Sequence, residues 1–218
     1  DGWRFGELKS LALGGASTST PVVANGRAYV GVQGAVQFTQ YSGHCIAVID
    51  LDQEAPQIAY TVQTQGYPQT SGLLTTAYAA EDGCNYVYFI DNYTPGRLRV
   101  LRDSKRSPDD RRTLESSKRV AYALFTPVSQ HAAYAICSPI ADQYGTLYFK
   151  NDSGYLMAFG STVKDLTLTK EPSKMDYVTG DTVNLAGMQV TATLTNGLTR
   201  DITKLFTAPA RALTAQDA

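Results

Sequence analysis

The feature that most constrains this chain is a repeated pattern of short apolar segments separated by tight turns. In two copies, a segment that begins near a Ser and a Pro is followed by a turn, an apolar segment, a second turn and another apolar segment. These copies cover residues 19–31 with 43–50, and residues 138–149 with 151–159. Asn25-Gly26, Gly145 and Gly154 supply the positive φ angles that hairpin turns require. The repeat therefore predicts consecutive antiparallel strands.

A looser third copy lies between these two. Its apolar segments are 71–76, 86–91 and 98–101, and its turn is Thr94-Pro95-Gly96. Short β-rich runs at 58–62 and 120–125 supply fourth strands, and four antiparallel strands per unit is the architecture of a propeller blade. The stretch 102–118 is rich in charge, so we expect it to form a solvated loop outside the core. An ordinary β-sandwich with accidental internal similarity is the alternative.

The segments 138–149 and 154–159 resemble a blade of the PQQ-like (quinoprotein-type) β-propellers. The segments that begin at Pro21 and Gly43 resemble another blade, and we assign residues 1–161 to this predicted domain. The resemblance implies about three four-stranded blades. Many members of that superfamily bind no quinone and act as scaffolds or recognition surfaces, so the resemblance predicts a fold more than an activity.

The composition of the chain changes after Gly160. From Thr162 onward there is no Cys, His or Trp. Apolar and polar residues alternate over 166–168 and 190–194, and Asn196-Gly197 is a strong hairpin signal. The segment therefore predicts further half-buried strands and not a linker.

This second segment resembles the group-three bacterial immunoglobulin-like domains of secreted surface proteins. The matching positions are Tyr177, Gly180, Asp181, Leu185, Gly187, Val190, Asn196, Gly197, Asp201, Ile202 and Thr203. The family continues with a Gly-rich turn and a final alternating strand that the chain does not match. We therefore expect residues 162–218 to form a truncated immunoglobulin-like β-sandwich, which makes the predicted fold all-β throughout.

Composition and motifs exclude several classes of function. The net charge of −1 gives no basic surface for nucleic acid, and no apolar run approaches the ~20 residues that span a bilayer. The chain has no nucleophile elbow, P-loop or zinc-protease motif. His44 and Cys45 are neighbours on a predicted strand, so they point to opposite faces and cannot cooperate. The cysteines Cys45, Cys84 and Cys137 are best interpreted as small apolar strand residues, with a disulfide among them as the alternative.

Metal and cofactor sites find little support in the sequence. Three pairs of oxygen-bearing residues offer calcium ligands, but none has the spacing of a calcium loop, and turn formation explains them more simply. The pairs are Asp50 with Asp52, Asp91 with Asn92, and Asn151 with Asp152. A quinone-dependent dehydrogenase would need a closed ring of blades, a calcium site and an aromatic platform, and Trp3 is the only Trp. We therefore predict no catalytic residue, no metal and no cofactor.

Tyrosines in turn-like segments are the best indication of binding. Tyr41, Tyr67 and Tyr93 lie beside Ser-Gly, Pro-Gln and Thr-Pro-Gly. An exposed Tyr offers a flat apolar ring with a polar tip, which suits a protein or glycan ligand. With 14 Tyr in the chain, chance placement is the alternative.

The sequence thus favours a non-catalytic binding or scaffold module of a secreted bacterial protein, at the cell surface or outside the cell. The propeller would be the recognition platform and the immunoglobulin-like domain a spacer. The alternatives are an accessory domain of a larger extracellular enzyme or the remnant of a quinone-dependent dehydrogenase. Three blades leave uncovered sheet faces, so we also expect self-association through exposed blades or strand edges. A sandwich without its final strands should leave an unpaired strand edge at 190–194. We expect to find there either a partner strand from a neighbouring molecule or a disordered tail past Phe206.

Overall fold

The computed structural model describes residues 9–34, 43–52, 54–77, 83–103 and 121–217. In these residues the protein is all-β, and its strands form four small antiparallel sheets. The chain divides into two compact units. The first comprises Asp1–Ala141 and Leu147–Phe159, and the second comprises Asp142–Thr146 and Gly160–Ala218.

The first unit contains three sheets whose strands follow one another in chain order. Sheet 1 contains β1 Val22–Ala24, β2 Arg27–Val32, β3 Cys45–Asp50 and β4 Gln57–Gln63. Sheet 2 contains β5 Leu73–Thr75, β6 Asn85–Ile90, β7 Leu98–Asp103 and β8 Ala121–Phe125. Sheet 3 contains β9 Ile140–Ala141, β10 Leu147–Lys150 and β11 Leu156–Phe159. Two sheets have the four strands that the sequence predicts, and sheet 3 has three in the described part of the chain.

The hairpins form where the turn residues predict them. Asn25 and Gly26 both have positive φ, 48° and 70°, and they join β1 to β2. Two positive φ angles at the central positions give a turn whose twist matches that of the flanking strands. The Thr94-Pro95-Gly96 turn joins β6 to β7, as expected, and its Thr94–Pro95 peptide bond is cis.

Sheet 1 and sheet 2 pack face to face. Directly opposed residues of neighbouring strands point to the same side of a sheet, so the register defines each face. We call the face that points to the next sheet in chain order the forward face, and the other the backward face. The forward face of sheet 1 and the backward face of sheet 2 share one buried cluster. It contains Tyr29, Ile46, Val48, Tyr60 and Val62 from sheet 1 and Val87, Phe89, Leu101 and Ala121 from sheet 2.

Sheet 2 and sheet 3 pack in the same manner. Ile90 and Leu98 lie on the forward face of sheet 2, and they pack with Leu147 and Phe149 on the backward face of sheet 3. Phe125 at the end of β8 contacts Phe149 edge-on, with ring centroids 6.0 Å apart. Among the described residues, no sheet packs on the backward face of sheet 1, and Leu11 and Leu13 of the segment before β1 pack against it.

The second unit is built on one three-stranded sheet. It contains β12 Val163–Lys170, β13 Gln189–Leu194 and β14 Thr199–Asp201 in the order β12-β13-β14. The hairpin at Asn196-Gly197 joins β13 to β14, as the sequence predicts, and Gly197 has a φ of 83°. Two 3₁₀ turns complete the regular structure of the described chain, at Ser129–His131 and Thr203–Leu205.

The prediction of an unpaired edge at 190–194 is wrong. This stretch lies in β13, the central strand, which pairs with β12 on one side and β14 on the other. The tail past Phe206 is ordered rather than disordered, because Ala212 forms a β-bridge with Thr182 and Leu213 exchanges backbone hydrogen bonds with Gly180 and Asp181. Within this sheet, large exposed apolar side chains lie instead on β12, where Leu166 and Leu168 are 53% and 52% exposed.

Candidate functional site

The turns of sheets 1 and 2 lie at two opposite ends of the strands. The connections β2–β3, β4–β5 and β6–β7 lie at one end, which we call the tyrosine end because the three predicted contact tyrosines belong to these connections. The other end carries the β1–β2 turn and the last residues of β3 and β7, and we call it the arginine end after Arg27. Tyr41 lies outside the described residues, so the site at the tyrosine end is built from Tyr67, Tyr93 and their neighbours.

Tyr67 is a buried support and not an exposed contact residue. Its side chain is 6% exposed, so the expectation of exposure is wrong for this residue. The Thr18 hydroxyl donates to the carbonyl oxygen of Gln69 at 3.1 Å. The Tyr67 hydroxyl therefore donates to Thr18 Oγ1, 3.1 Å away, and accepts from the Thr18 backbone N–H. The ring stacks on His44 with centroids 6.3 Å apart. Tyr67 thus holds the segment before β1 against the β4–β5 connection.

Tyr93 is half-buried, in a turn that is fixed from both sides. On one side, the buried carboxylate of Asp91 accepts from Arg99 Nε at 2.7 Å and from the Arg97 backbone N–H at 3.0 Å. On the other side, the Gly96 N–H donates to the Ala133 carbonyl oxygen at 2.9 Å. A Cβ on Gly96 would lie 2.7 Å from Ala135 Cβ, so a larger residue does not fit without displacement. The turn that carries Tyr93 is therefore held by both an ion pair and close packing.

The amides next to Tyr93 give the tyrosine end its polar groups. The Asn92 backbone N–H donates to the Tyr67 carbonyl oxygen, and Asn92 Nδ2 donates to Gln69 Oε1, both at 2.9 Å. Asn92 Oδ1 is buried and accepts no hydrogen bond from the described part of the chain. A Cβ on Gly66 would lie 2.3 Å from the Asn92 carbonyl oxygen, so the two connections approach backbone to backbone. Phenol and amide groups together offer uncharged donors and acceptors beside an aromatic ring.

The arginine end holds a buried ionic cluster that sequence reasoning missed. Arg27 Nη1 lies 3.1 Å from Asp50 Oδ2, and Arg27 Nε lies 3.5 Å from Asp103 Oδ2. Asp103 is 0% exposed, which corrects its assignment to a solvated loop. The rest of the charged stretch from residue 104 to 118 lies outside the described residues. Since Asp103 closes β7 directly opposite Asn85, its position at the end of an apolar strand was the signal that could have found it.

Two tyrosines complete the cluster at Asp103. The hydroxyls of Tyr29 and Tyr60 donate to Oδ2 and Oδ1 of Asp103, each at 2.8 Å. Asn85 Nδ2 donates to the Tyr29 oxygen at 3.0 Å, and Asn25 Nδ2 donates to Asn85 Oδ1 at 2.8 Å. Burial, and then the negative charge of Asp103, raises the pKa of both tyrosines well above its ordinary value. Tyr29, Tyr60, Asn85 and Asp103 are buried and hydrogen-bonded to one another, so the cluster joins sheets 1 and 2.

One residue of each calcium-candidate pair is engaged by a neighbour. Asp50 pairs with Arg27, and Asp91 pairs with Arg99. Asn151 Nδ2 donates to the His131 carbonyl oxygen at 2.7 Å. Across the described ranges, the structure contains no group of three or more His, Cys, Asp and Glu side chains arranged to hold a metal ion.

The cysteines and histidines form no nucleophile–base pair in the described chain. Cys45 and Cys137 are free thiols, and Cys84 Sγ accepts from Arg102 Nε at 3.0 Å. Burial raises the pKa of the Cys45 thiol, which disfavours its reactive thiolate form. His131 contacts Tyr155 edge-on, with centroids 4.3 Å apart. Both histidines therefore pack against aromatic rings.

Comparisons with known proteins assign no function to this chain. Neither models of protein families nor curated proteins give a match to the chain. Among the described residues, no helix has the length and apolar character needed to cross a membrane.

Proposed function

We propose that this chain is a non-catalytic recognition module of a secreted bacterial surface protein. Sheets 1 to 3 would be blades of a PQQ-like β-propeller, and the β12-β13-β14 sheet of the second unit would belong to a group-three immunoglobulin-like domain that acts as a spacer. The motifs quoted above support this proposal, as does the stacking of antiparallel sheets in chain order. A larger extracellular enzyme to which the chain contributes a positioning domain is the alternative that the sequence leaves open.

The tyrosine end is the proposed recognition surface, and the fixed turn at Tyr93 is the observation that carries it. Binding surfaces gain affinity when their aromatic groups are already held in place, because less side-chain and loop entropy is lost on association. Asp91, Arg99 and Gly96 hold the Tyr93 turn in this way. The opposite end, by contrast, uses its polar groups internally.

The ligand would be uncharged and polar at the contact. A half-buried phenol ring offers an apolar face, and the half-buried amide of Gln69, whose Oε1 already accepts from Asn92 Nδ2, offers a polar group on the neighbouring connection. This combination suits the apolar face and hydroxyl groups of a sugar, or the backbone of a loop on a protein partner. The two classes of ligand are separated by the experiment below.

A glycan array and a panel of surface proteins, probed with the full chain, test the proposal. We expect binding that Tyr93→Ala weakens at least about tenfold, as for a central aromatic contact. Tyr122→Ala is the matched control, because Tyr122 is exposed on β8 and away from the tyrosine end.

Two results would contradict this function. One is ligand binding that Tyr93→Ala and Tyr122→Ala affect equally. The other is reproducible oxidation of an alcohol or sugar by the full chain after addition of calcium and pyrroloquinoline quinone, which would restore the dehydrogenase alternative.

A further inference from the structure

Two exposed tyrosines lie in the β8–β9 and β10–β11 connections. Tyr134 belongs to the first connection and is 55% exposed, and Tyr155 lies directly before β11 and is 45% exposed. Residues 126–139 of the β8–β9 connection contain no Lys, Arg, Asp or Glu. Both tyrosines therefore offer the same uncharged aromatic chemistry as Tyr93, with a larger part of the side chain in contact with water.

Backbone hydrogen bonds join these two connections to the Tyr93 turn. The Gly96 N–H donates to the Ala133 carbonyl oxygen, and the Asp152 N–H donates to the Tyr134 carbonyl oxygen, both at 2.9 Å. The first bond links the β6–β7 and β8–β9 connections, and the second links the β8–β9 and β10–β11 connections. The three tyrosines therefore share the tyrosine end, on connections whose backbones are bonded to one another.

The β10–β11 turn is held by a buried asparagine. Asn151 is 3% exposed; its Nδ2 donates to the His131 carbonyl oxygen at 2.7 Å, and its Oδ1 accepts from the Ser153 N–H at 3.1 Å. The His131 ring contacts Tyr155 edge-on, with centroids 4.3 Å apart. An aromatic ring that is already held in place loses little entropy on binding, so Tyr155 suits a ligand contact for the same reason as Tyr93.

Polar atoms without a partner are found on the same connections. Asn92 Oδ1, Arg97 Nε and His131 Nδ1 are buried and have no hydrogen-bond partner among the described residues. A ligand that pairs with such atoms, directly or through a bridging water, relieves a cost that the free protein carries. A hydroxyl group both donates and accepts, so it can pair with the Asn92 oxygen and with the Arg97 N–H. A carboxylate can pair only with the second, and an ammonium group only with the first.

We propose that Tyr93, Tyr134 and Tyr155 form one extended contact surface for an oligosaccharide chain. The inference rests on the proposed recognition function and names its ligand class. Each phenol ring would pack against the apolar face of a sugar unit, while neighbouring polar groups pair with the sugar hydroxyls. Three similar rings on three linked connections suit a ligand that repeats one chemical unit, which a sugar polymer does. Binding should therefore strengthen with the length of the chain.

Titration calorimetry of the full chain with oligosaccharides of increasing length tests this inference. The probes are cello-, chito-, malto- and xylo-oligosaccharides, from the disaccharide to the hexasaccharide. We expect at least one series in which affinity rises with length. In that series Tyr134→Ala and Tyr155→Ala should each lower the affinity for the hexasaccharide at least about fivefold. The affinity for the disaccharide should change less, because it can contact another ring.

The control variant is Tyr122→Ala. Tyr122 is 55% exposed, as Tyr134 is, but it lies on β8 away from the tyrosine end. It should leave the affinity for every oligosaccharide unchanged. Circular dichroism checks that each variant keeps its fold, and the two tyrosine variants test the surface independently of each other.

The possible failures separate this inference from the proposed function. Hexasaccharide binding that Tyr93→Ala weakens and that Tyr134→Ala and Tyr155→Ala leave unchanged overturns the extended surface and keeps the recognition function. Binding of a protein partner with no binding of any oligosaccharide overturns the ligand class alone. A chain that binds neither the oligosaccharides nor any member of the protein panel overturns both.

Discussion

The two sheet-to-sheet interfaces of the first unit achieve the same stacking with different chemistry. Between sheets 1 and 2, an apolar cluster ends in the buried group formed by Arg27, Asp103 and two tyrosines. Between sheets 2 and 3, the contact is made by aliphatic and aromatic side chains such as Leu147 and Phe149. Directional hydrogen bonds fix one relative position of two sheets, whereas apolar contacts accept small shifts. The stability of the first interface should therefore depend mainly on its polar groups. The stability of the second should depend mainly on the volume of its apolar side chains.

The largest effect is expected when the ionic cluster loses its central carboxylate. Asp103→Ala removes the carboxylate that faces Arg27 Nε and that accepts from the hydroxyls of Tyr29 and Tyr60, while Arg27 Nη1 keeps its contact with Asp50. Breaking a buried ion pair by removing one partner costs about 3–5 kcal/mol. Urea unfolding of the first unit should show a loss of this size.

The matched control for this prediction replaces both charges. Arg27→Met combined with Asp103→Leu removes the fully buried arginine together with its fully buried partner. Asp50 then loses its arginine, but its side chain is 13% exposed and reaches water, so the double variant should be more stable than Asp103→Ala alone. A loss below about 1 kcal/mol in Asp103→Ala would mean that the cluster does not hold the sheets together.

A smaller loss is expected when the apolar interface is opened. Phe149→Leu removes ring atoms that contact Phe125 and pack in the cluster between sheets 2 and 3. Loss of buried volume with partial relaxation should reduce the free energy of unfolding by about 1–2 kcal/mol. Equilibrium urea unfolding measures it, and a loss as large as that of Asp103→Ala would remove the distinction between the two interfaces.

Alkaline pH should weaken the interface between sheets 1 and 2, in which two tyrosine hydroxyls are bonded to the buried Asp103. The pKa values of Tyr29 and Tyr60 are raised in the folded protein, because burial and Asp103 disfavour the phenolate. Above the ordinary tyrosine pKa of about 10, the unfolded chain loses protons that the folded chain keeps. The unfolded state is then favoured, so stability falls as pH rises, by about 1.4 kcal/mol per pH unit for each tyrosine.

Unfolding free energies at pH 9, 10 and 11 measure this slope. The Tyr29→Phe variant should show a smaller decrease over this range, since one of the two protons is no longer involved. Tyr134→Phe, in which an exposed residue is changed, should keep the wild-type slope. Equal slopes in all three proteins would show that the buried tyrosines do not cause the loss of stability at alkaline pH.

The smallest loss of stability is expected for a substitution that changes the shape of a side chain and keeps its volume. Met157 packs at the edge of the apolar cluster between sheets 2 and 3. Met157→Leu keeps its volume and apolar character, so the loss should stay below about 1 kcal/mol. The paired test in the other interface is Tyr60→Phe, which keeps shape but removes a hydrogen bond to Asp103, and thermal unfolding should rank it as the more damaging of the two.

The sequence alone determined those elements of the fold whose geometry is set by residues adjacent in the chain. Asn25-Gly26 and Asn196-Gly197 specify their hairpins because few other residues adopt positive φ without cost. The short runs at 58–62 and 120–125 were predicted as strands; residues 58–62 lie in β4, and the described residues 121–125 form β8. Alternation of apolar and polar residues is likewise a local signal, so the all-β class follows from it.

Tertiary structure decided which polar and aromatic residues are used inside the protein. Asp103 belongs to a charged stretch, yet it accepts from Tyr29, 74 residues away in the chain. Tyr67 lies in a turn with Pro and Gln, yet the segment containing Thr18 covers it. Neither burial is encoded by nearby residues, because each requires a partner that only the packing of distant segments brings within hydrogen-bond distance. The half-burial of Tyr93 and the burial of Val190, Ala192 and Leu194 in β13 were decided in the same way, by which segments cover a residue and not by the residue itself.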